Sequence, residues 1–203
     1  MLRYAITNRA MFPGDETRKQ EELLRHTFHW VRDGFDFIQL REKDLPDAAL
    51  ASLADEILEA IGSTRSHTRL LINSRPGIAI ATRAHGVHLT AAPDEMTPAQ
   101  VRSLYASAGL PAPIVSVSCH SLDEVNRGHD NKADVILFAP VFGKNLDGGE
   151  AVPGKGLDQL RKACAAAEPI PVFALGGVTR ENVPSCLSAG AAGVAGIRLF
   201  HGY

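Results

Sequence analysis

Gln39, Arg41 and Lys43 stand at alternate positions directly after the apolar run Phe35-Asp36-Phe37-Ile38. Alternate residues of a strand share one face, so this segment carries an amide and two cations to one side of a strand end. Such a set suits an anion, and a phosphorylated small molecule is the substrate class a barrel enzyme would hold there. The plain alternative is a solvated strand end in which Glu42 pairs with its cationic neighbours. A second constellation lies near the other end of the chain, in Ala174-Leu175-Gly176-Gly177-Val178-Thr179 and Ala195-Gly196-Ile197-Arg198. Glycine there lets backbone N–H groups approach a phosphate with no Cβ in the way. Gly176 and Gly177 could instead only turn a strand into a helix, with Thr179 and Asn182 as turn or cap residues.

The elements that must position these groups alternate regularly. Strand-like runs cover Leu2 to Thr7, Asp36 to Leu40, Arg69 to Asn73, Gly86 to Leu89, Ile114 to Cys119, Asp134 to Phe138, Pro171 to Leu175 and Gly193 to Ile197. Helical patterns fall between them at Thr17 to Asp33, Pro46 to Ile61, Pro76 to Arg83, Thr97 to Tyr105, Leu122 to Gly128, Leu157 to Ala167 and Arg180 to Ser188. Pro46 and Pro76 fit a first helical turn, and Thr97-Pro98 reads as an N-cap followed by its first helical residue. Eight strands with intervening helices predict a (β/α)8 TIM barrel formed by residues 1–203 as one domain. An open Rossmann-like sheet is the other solution, but no GxGxxG opens the first unit. After the eighth strand only Arg198 to Tyr203 remain, so the final helix is truncated to a single turn at most. The barrel floor near the first and eighth strands then needs another cover, and a homodimer would supply it. In this numbering the two phosphate-type turns end the seventh and eighth strands, where barrel enzymes commonly hold phosphate.

Global properties narrow the partners. At 203 residues, 45% hydrophobic and 22% charged, the chain can bury a full core. A net charge of −2 gives no electrostatic case for nucleic acid or an anionic membrane. The apolar runs are far shorter than a bilayer span, and Met1-Leu2-Arg3-Tyr4 lacks a signal-peptide core, so a cytoplasmic location is expected. Cys119, Cys164 and Cys186 are widely spaced without a CxxC or metal-ligand pattern, which predicts reduced thiols.

Taken in order along the chain, seven stretches resemble the thiamin phosphate synthase and TenI family: Tyr4-Ala5-Ile6-Thr7, Phe37 to Lys43, Leu70 to Arg75, Gly86-Val87-His88-Leu89, Ser116 to Ser121, Val141-Phe142 and Leu175-Gly176-Gly177-Val178. The resemblance implies a TIM barrel acting in thiamin biosynthesis on a thiazole phosphate; the fold alone would not say so. Two activities live in the family. The synthase joins an aminopyrimidine pyrophosphate to a thiazole phosphate and uses Mg²⁺ to neutralise the pyrophosphate that leaves. Its pattern has an aspartate directly after the third-strand asparagine and another after the fourth-strand Gly-Val-His-Leu segment. Here the first position is Ser74, and Asp94 falls one place beyond the second. A serine hydroxyl is a poor replacement for a charged Mg²⁺ ligand. The threonine-rich segment that grips pyrophosphate in the synthases is also missing from Val141 to Glu150, although Lys144 or Lys155 could supply a charge.

These departures point to the TenI branch, whose members aromatise a thiazole carboxylate phosphate without a metal. Proton transfer at carbon suits histidine, and the residue matching the family's catalytic histidine is His120. The expectation is therefore a thiazole tautomerase with no cofactor and no metal. His120 would move the proton, Gln39, Arg41, Lys43, Asn73 and Ser118 would place the substrate, and Gly176, Gly177, Gly196, Ile197 and Arg198 would hold the phosphate. The alternatives are the Mg²⁺-dependent synthase and a non-catalytic binder of thiazole or thiamin phosphates. Cys119, next to His120, should face outward against the helices. His88 falls at the fourth strand's end and lines the mouth, His26 and His29 flank Trp30 in packing or surface roles, and His129 and His201 read as loop positions.

Overall fold

Each apolar run pairs in parallel with the next, and the last closes on the first. The structure, a computed structural model, describes residues 1–92, 94–145 and 151–201. Barrel strands and helices alternate as β1 (Leu2–Ile6), α1 (Glu16–Arg32), β2 (Phe37–Leu40), α2 (Asp47–Thr64), β3 (Arg69–Asn73), α3 (Pro76–Ala81), β4 (Gly86–Leu89) and α4 (Pro98–Ser107). They continue as β5 (Ile114–Cys119), α5 (Leu122–Asp130), β6 (Val135–Phe138), α6 (Gly156–Ala167), β7 (Val172–Ala174), α7 (Val183–Ser188) and β8 (Gly193–Gly196). The closed order is β1-β8-β7-β6-β5-β4-β3-β2, a (β/α)8 barrel. A small antiparallel ribbon, Lys144–Asn145 with Ala151–Val152, lies between β6 and α6 and was not expected from the sequence.

Local chemistry sets the helix starts. Asp15 caps α1 by accepting from the Arg18 N–H, and Thr97 with Gln100 forms a reciprocal capping box on α4. Pro46 sits one residue earlier than expected, as the N-cap of α2, while Pro76 and Pro98 occupy the first turns of α3 and α4. Beyond β8 the chain makes one 3-10 turn, Arg198–Phe200, whose Phe200 carbonyl accepts from Trp30 Nε1 at 3.2 Å.

Strand alternation divides the apolar residues into two layers. Outward-facing Ile38, Leu40, Leu70, Ile72, Val87, Val115, Ile136 and Val194 pack under the helices. Inward-facing Ile6, Leu71, Val135, Leu137, Phe173 and Ala195 fill the barrel together with the ring of Tyr4. Each fully buried Leu, Ile or Phe contributes about 1.5–3 kcal/mol of transfer free energy, so the interior is a packed plug and only its upper, polar layer is open to chemistry. Register sets that layer: Asn73 pairs with His88 and His88 with Ser116, placing the three side by side on the inner wall.

Candidate active site

Polar residues that belong to strand interiors gather at the C-terminal ends of β2 to β5. Gln39 is 1% exposed, and its Nε2 donates to Asn73 Oδ1 at 2.8 Å. Its Oε1 is buried and has no partner among the described residues. An unpaired buried acceptor costs about 1–3 kcal/mol. One step further along β2, the Arg41 backbone N–H is held by Thr7 Oγ1 at 2.9 Å, which carries the extended chain past the strand's end. The half-buried Arg41 side chain forms no ion pair among the described residues, and its charge is felt by His88. Lys43 is exposed; its carbonyl accepts from Arg75 Nη2 at 2.7 Å, and both residues border a cavity of about 300 Å³ with Glu42, Asn73, Ser74 and Thr90. Glu42 does not pair with the neighbouring cations. It is buried and bonded to Arg9, whose guanidinium also holds the Asp44 carboxyl at a pKa of about 2.

The inner wall across from Gln39 carries a hydrogen-bonded line. The Tyr4 hydroxyl crosses the barrel to Ser116 Oγ at 2.9 Å, Ser116 Oγ lies 2.8 Å from His88 Nδ1, and His88 Nε2 lies 2.9 Å from Ser118 Oγ. Burial, with a smaller contribution from the Arg41 charge, lowers the His88 pKa to about 3, so the ring is neutral at working pH. His88 was expected at the mouth and is instead buried, with half-buried Ser118 between it and the opening.

His120 lies beyond the end of β5 and is separated from that line. Ser121 caps α5, and the Glu124 carboxylate turns back to accept from the His120 backbone N–H while lying 3.2 Å from His120 Nδ1. The imidazole is exposed and borders a cavity of about 430 Å³ with Lys155 and Gln159. Cys119 faces the helices, and burial pushes its thiol up to about 12, so it is no nucleophile.

Gly176 and Gly177 turn β7 toward α7, the structural role open to them from the sequence. Gly176 and Gly177 have φ of +90° and +62°, and a Cβ on Gly177 would lie 2.7 Å from Phe142 Cβ and 2.8 Å from the Gly143 carbonyl oxygen. Asn182 accepts from the Thr179 N–H and donates to the Gly177 carbonyl, as a turn residue does. Yet the N–H groups of Gly176, Gly177, Val178 and Ile197 have no acceptor among the described residues. Gly196 packs against Leu199, and Arg198 is exposed on the 3-10 turn. The Lys144 side chain and residues 146–150 lie outside the described residues; Lys155 is exposed.

Ser74 is joined by a carboxylate other than Asp94, that of Glu95. Asp94 is exposed, whereas Glu95 turns inward: its Oε2 accepts from Ser74 Oγ at 3.0 Å, Thr90 Oγ1 at 2.9 Å and the Thr90 N–H at 3.1 Å. Its Oε1 takes only the Met96 N–H, at 3.3 Å. Among the described residues no group of three or more His, Cys, Asp or Glu side chains is placed to hold a metal. One carboxylate with free capacity beside serine and threonine hydroxyls is nonetheless a hard-oxygen set of the kind that completes Mg²⁺ coordination together with substrate phosphates. The signal for Glu95 was its acidic type one residue past Asp94, in a loop whose length alone left the register open.

The chain is similar to known proteins along nearly its whole length. The family described as thiamine monophosphate synthase matches residues 3–200. The thiamine-phosphate synthase of Chlorobium luteolum is 36% identical over 81% of this chain and 73% of its own length. That of Methanospirillum hungatei is 34% identical over 95% of this chain and 85% of its own. Among solved structures, a thiamine phosphate pyrophosphorylase from Pyrococcus furiosus superposes with a TM-score of 0.77 at 25% identity, covering 100% of this chain and 88% of that one. By these matches, spread over nearly its whole length, the chain belongs to the thiamine monophosphate synthase family.

Proposed function

We propose that this protein is a thiamin phosphate synthase, joining an aminopyrimidine pyrophosphate to a thiazole phosphate. The observation that carries the proposal is the buried Gln39 Oε1, without a partner among the described residues and two places before the half-buried Arg41 cation. An aminopyrimidine pyrophosphate brings both complements, an exocyclic N–H donor and an anion. The names borne by the relatives support the same choice. This reverses the preference for a tautomerase drawn from Ser74 and the missing threonines, because Glu95 supplies a carboxylate where Asp94 does not.

In the reaction the pyrimidine methylene C–O bond breaks, pyrophosphate leaves with the electron pair, and the thiazole nitrogen forms the new C–N bond. Arg41 and Lys43 bind the pyrophosphate, Asn73 and Gln39 orient the pyrimidine, and the N–H groups of Gly176, Gly177 and Ile197, with Arg198 beside them, hold the thiazole phosphate. Mg²⁺ bound by Glu95 and Ser74 would neutralise charge on the leaving group. The test is incubation of the protein with both substrates, with and without Mg²⁺, followed by detection of thiamin phosphate. Multiple turnovers abolished by EDTA are expected; no product under any condition overturns the reading.

A tautomerase is the second reading, favoured by one feature: His120 pairs with Glu124 at Nδ1 and leaves Nε2 toward the cavity beside Lys155. It requires that His120→Asn keep ligand affinity within a few fold while aromatisation of the thiazole tautomer falls by about 10²–10⁴. A wild type inactive on that tautomer removes it.

A further inference from the structure

The line from Tyr4 to Ser118 has a direction that hydrogen-bond accounting fixes. Tyr4 is fully buried, and burial raises its pKa well above the usual phenol value, so it keeps its proton. Among the described residues its hydroxyl meets, within hydrogen-bond reach, only Ser116 Oγ at 2.9 Å and His88 Nδ1 at 3.4 Å. Ser116 is fully buried as well, and among the described residues its hydroxyl meets only Tyr4 and His88. A neutral imidazole carries one N–H, at Nδ1 or at Nε2.

Suppose the proton is on Nε2. Tyr4 then donates to Ser116, Ser116 donates to Nδ1, and Nε2–H donates to Ser118 Oγ, so every buried proton has an acceptor. The Ser118 hydroxyl proton remains free to point toward the mouth. Suppose instead that it is on Nδ1. Nδ1–H then donates to Ser116 Oγ and Ser118 donates inward to Nε2. Either Ser116 donates to Tyr4 and strands the phenol proton, or Tyr4 donates to Ser116 and strands the serine proton. A stranded buried donor is costly, and the first arrangement has none.

We propose that Ser116, backed by Tyr4, is a positioning residue that holds His88 as the Nε2–H tautomer and thereby presents the Ser118 hydroxyl as a hydrogen-bond donor to the ligand. At this point the mouth can therefore donate to an acceptor, a ring nitrogen or an anionic oxygen. Ser118 is half-buried near the C-terminal end of β5, between His88 and the barrel opening. The identity of that ligand rests on the synthase reading; the tautomer does not.

Nitrogen-15 NMR of histidine-labelled, ligand-free protein at neutral pH reads the tautomer directly. The wild type is expected to show His88 protonated at Nε2, and a predominant Nδ1–H form overturns the proposal. The double variant Tyr4→Phe/Ser116→Ala removes both donors behind Nδ1 and should give a mixture of tautomers, whereas Ser116→Thr keeps the hydroxyl and should keep the Nε2–H form. In the double variant KM for the aminopyrimidine pyrophosphate should rise roughly tenfold, with near-wild-type KM restored in Ser116→Thr. A folded double variant with unchanged tautomer and unchanged KM also overturns it. If the wild type shows the Nε2–H form but makes no thiamin phosphate, the synthase reading fails and the positioning role stands.

Discussion

The Glu42 carboxylate accepts three times from Arg9: its two oxygens lie 3.2 and 3.1 Å from the Arg9 backbone N–H, and Oε2 lies 3.0 Å from Nη1. Both residues are buried, and the pair joins the loop after β1 to the loop after β2. Glu42 is therefore the clamp between Arg41 and Lys43 that frees those two cations from internal pairing. Arg9→Met should cost about 3–5 kcal/mol in urea unfolding, because it leaves a buried carboxylate without its cation. A loss below about 1 kcal/mol would mean that water reaches Glu42.

Arg41→Ala should weaken binding of inorganic pyrophosphate by about 1–3 kcal/mol in calorimetric titration, the range of a charge-assisted contact. The unfolding midpoint should stay near that of the wild type, since only the backbone of Arg41 is bonded to Thr7. Unchanged affinity would return Arg41 to a surface charge.

Gly177→Val should damage folding as well as binding. The sequence alone suggests a selective loss of phosphate affinity, but a Cβ at this residue, with φ of +62°, would press on Phe142 and the Gly143 carbonyl. Strain of this kind costs on the order of 1–3 kcal/mol. A variant with wild-type stability that fails only to bind phosphate would show that the loop after β6 can move aside.

Acid sensitivity should trace in part to His88. Its folded pKa of about 3 lies below the ordinary value of roughly 6.5. Above about pH 6.5 both folded and unfolded states are neutral and the stability is fully present. As pH falls toward 3 the unfolded chain takes up a proton that the folded one refuses, so stability is lost at up to about 1.4 kcal/mol per pH unit. His26, His85 and His201 are also held low by burial and add to the slope. The diagnostic is thus the difference between wild type and His88→Gln in denaturant midpoints from pH 7 to 4. Parallel curves would show that the folded protein admits a proton to His88 as readily as the unfolded chain does.

Strand periodicity and helix punctuation determined most of this architecture. The eight apolar runs appear as β1 to β8 within a residue or two at each end, because alternation that buries one face or both leaves little freedom of register. The same alternation placed Gln39 and Arg41 on the interior side and Cys119 on the outer one. Only the tertiary structure could decide three other points. Glu42 looks like a partner for its sequence neighbours, yet β1 brings Arg9 to it from 33 residues away. Asp94 and Glu95 differ by one place in a loop, and loop backbone, unlike a strand, has no fixed period to say which faces Ser74. His88, Ser116, Ser118 and Tyr4 come from three strands, and their line exists only once the sheet closes and carries the Tyr4 hydroxyl across the barrel to the opposite wall.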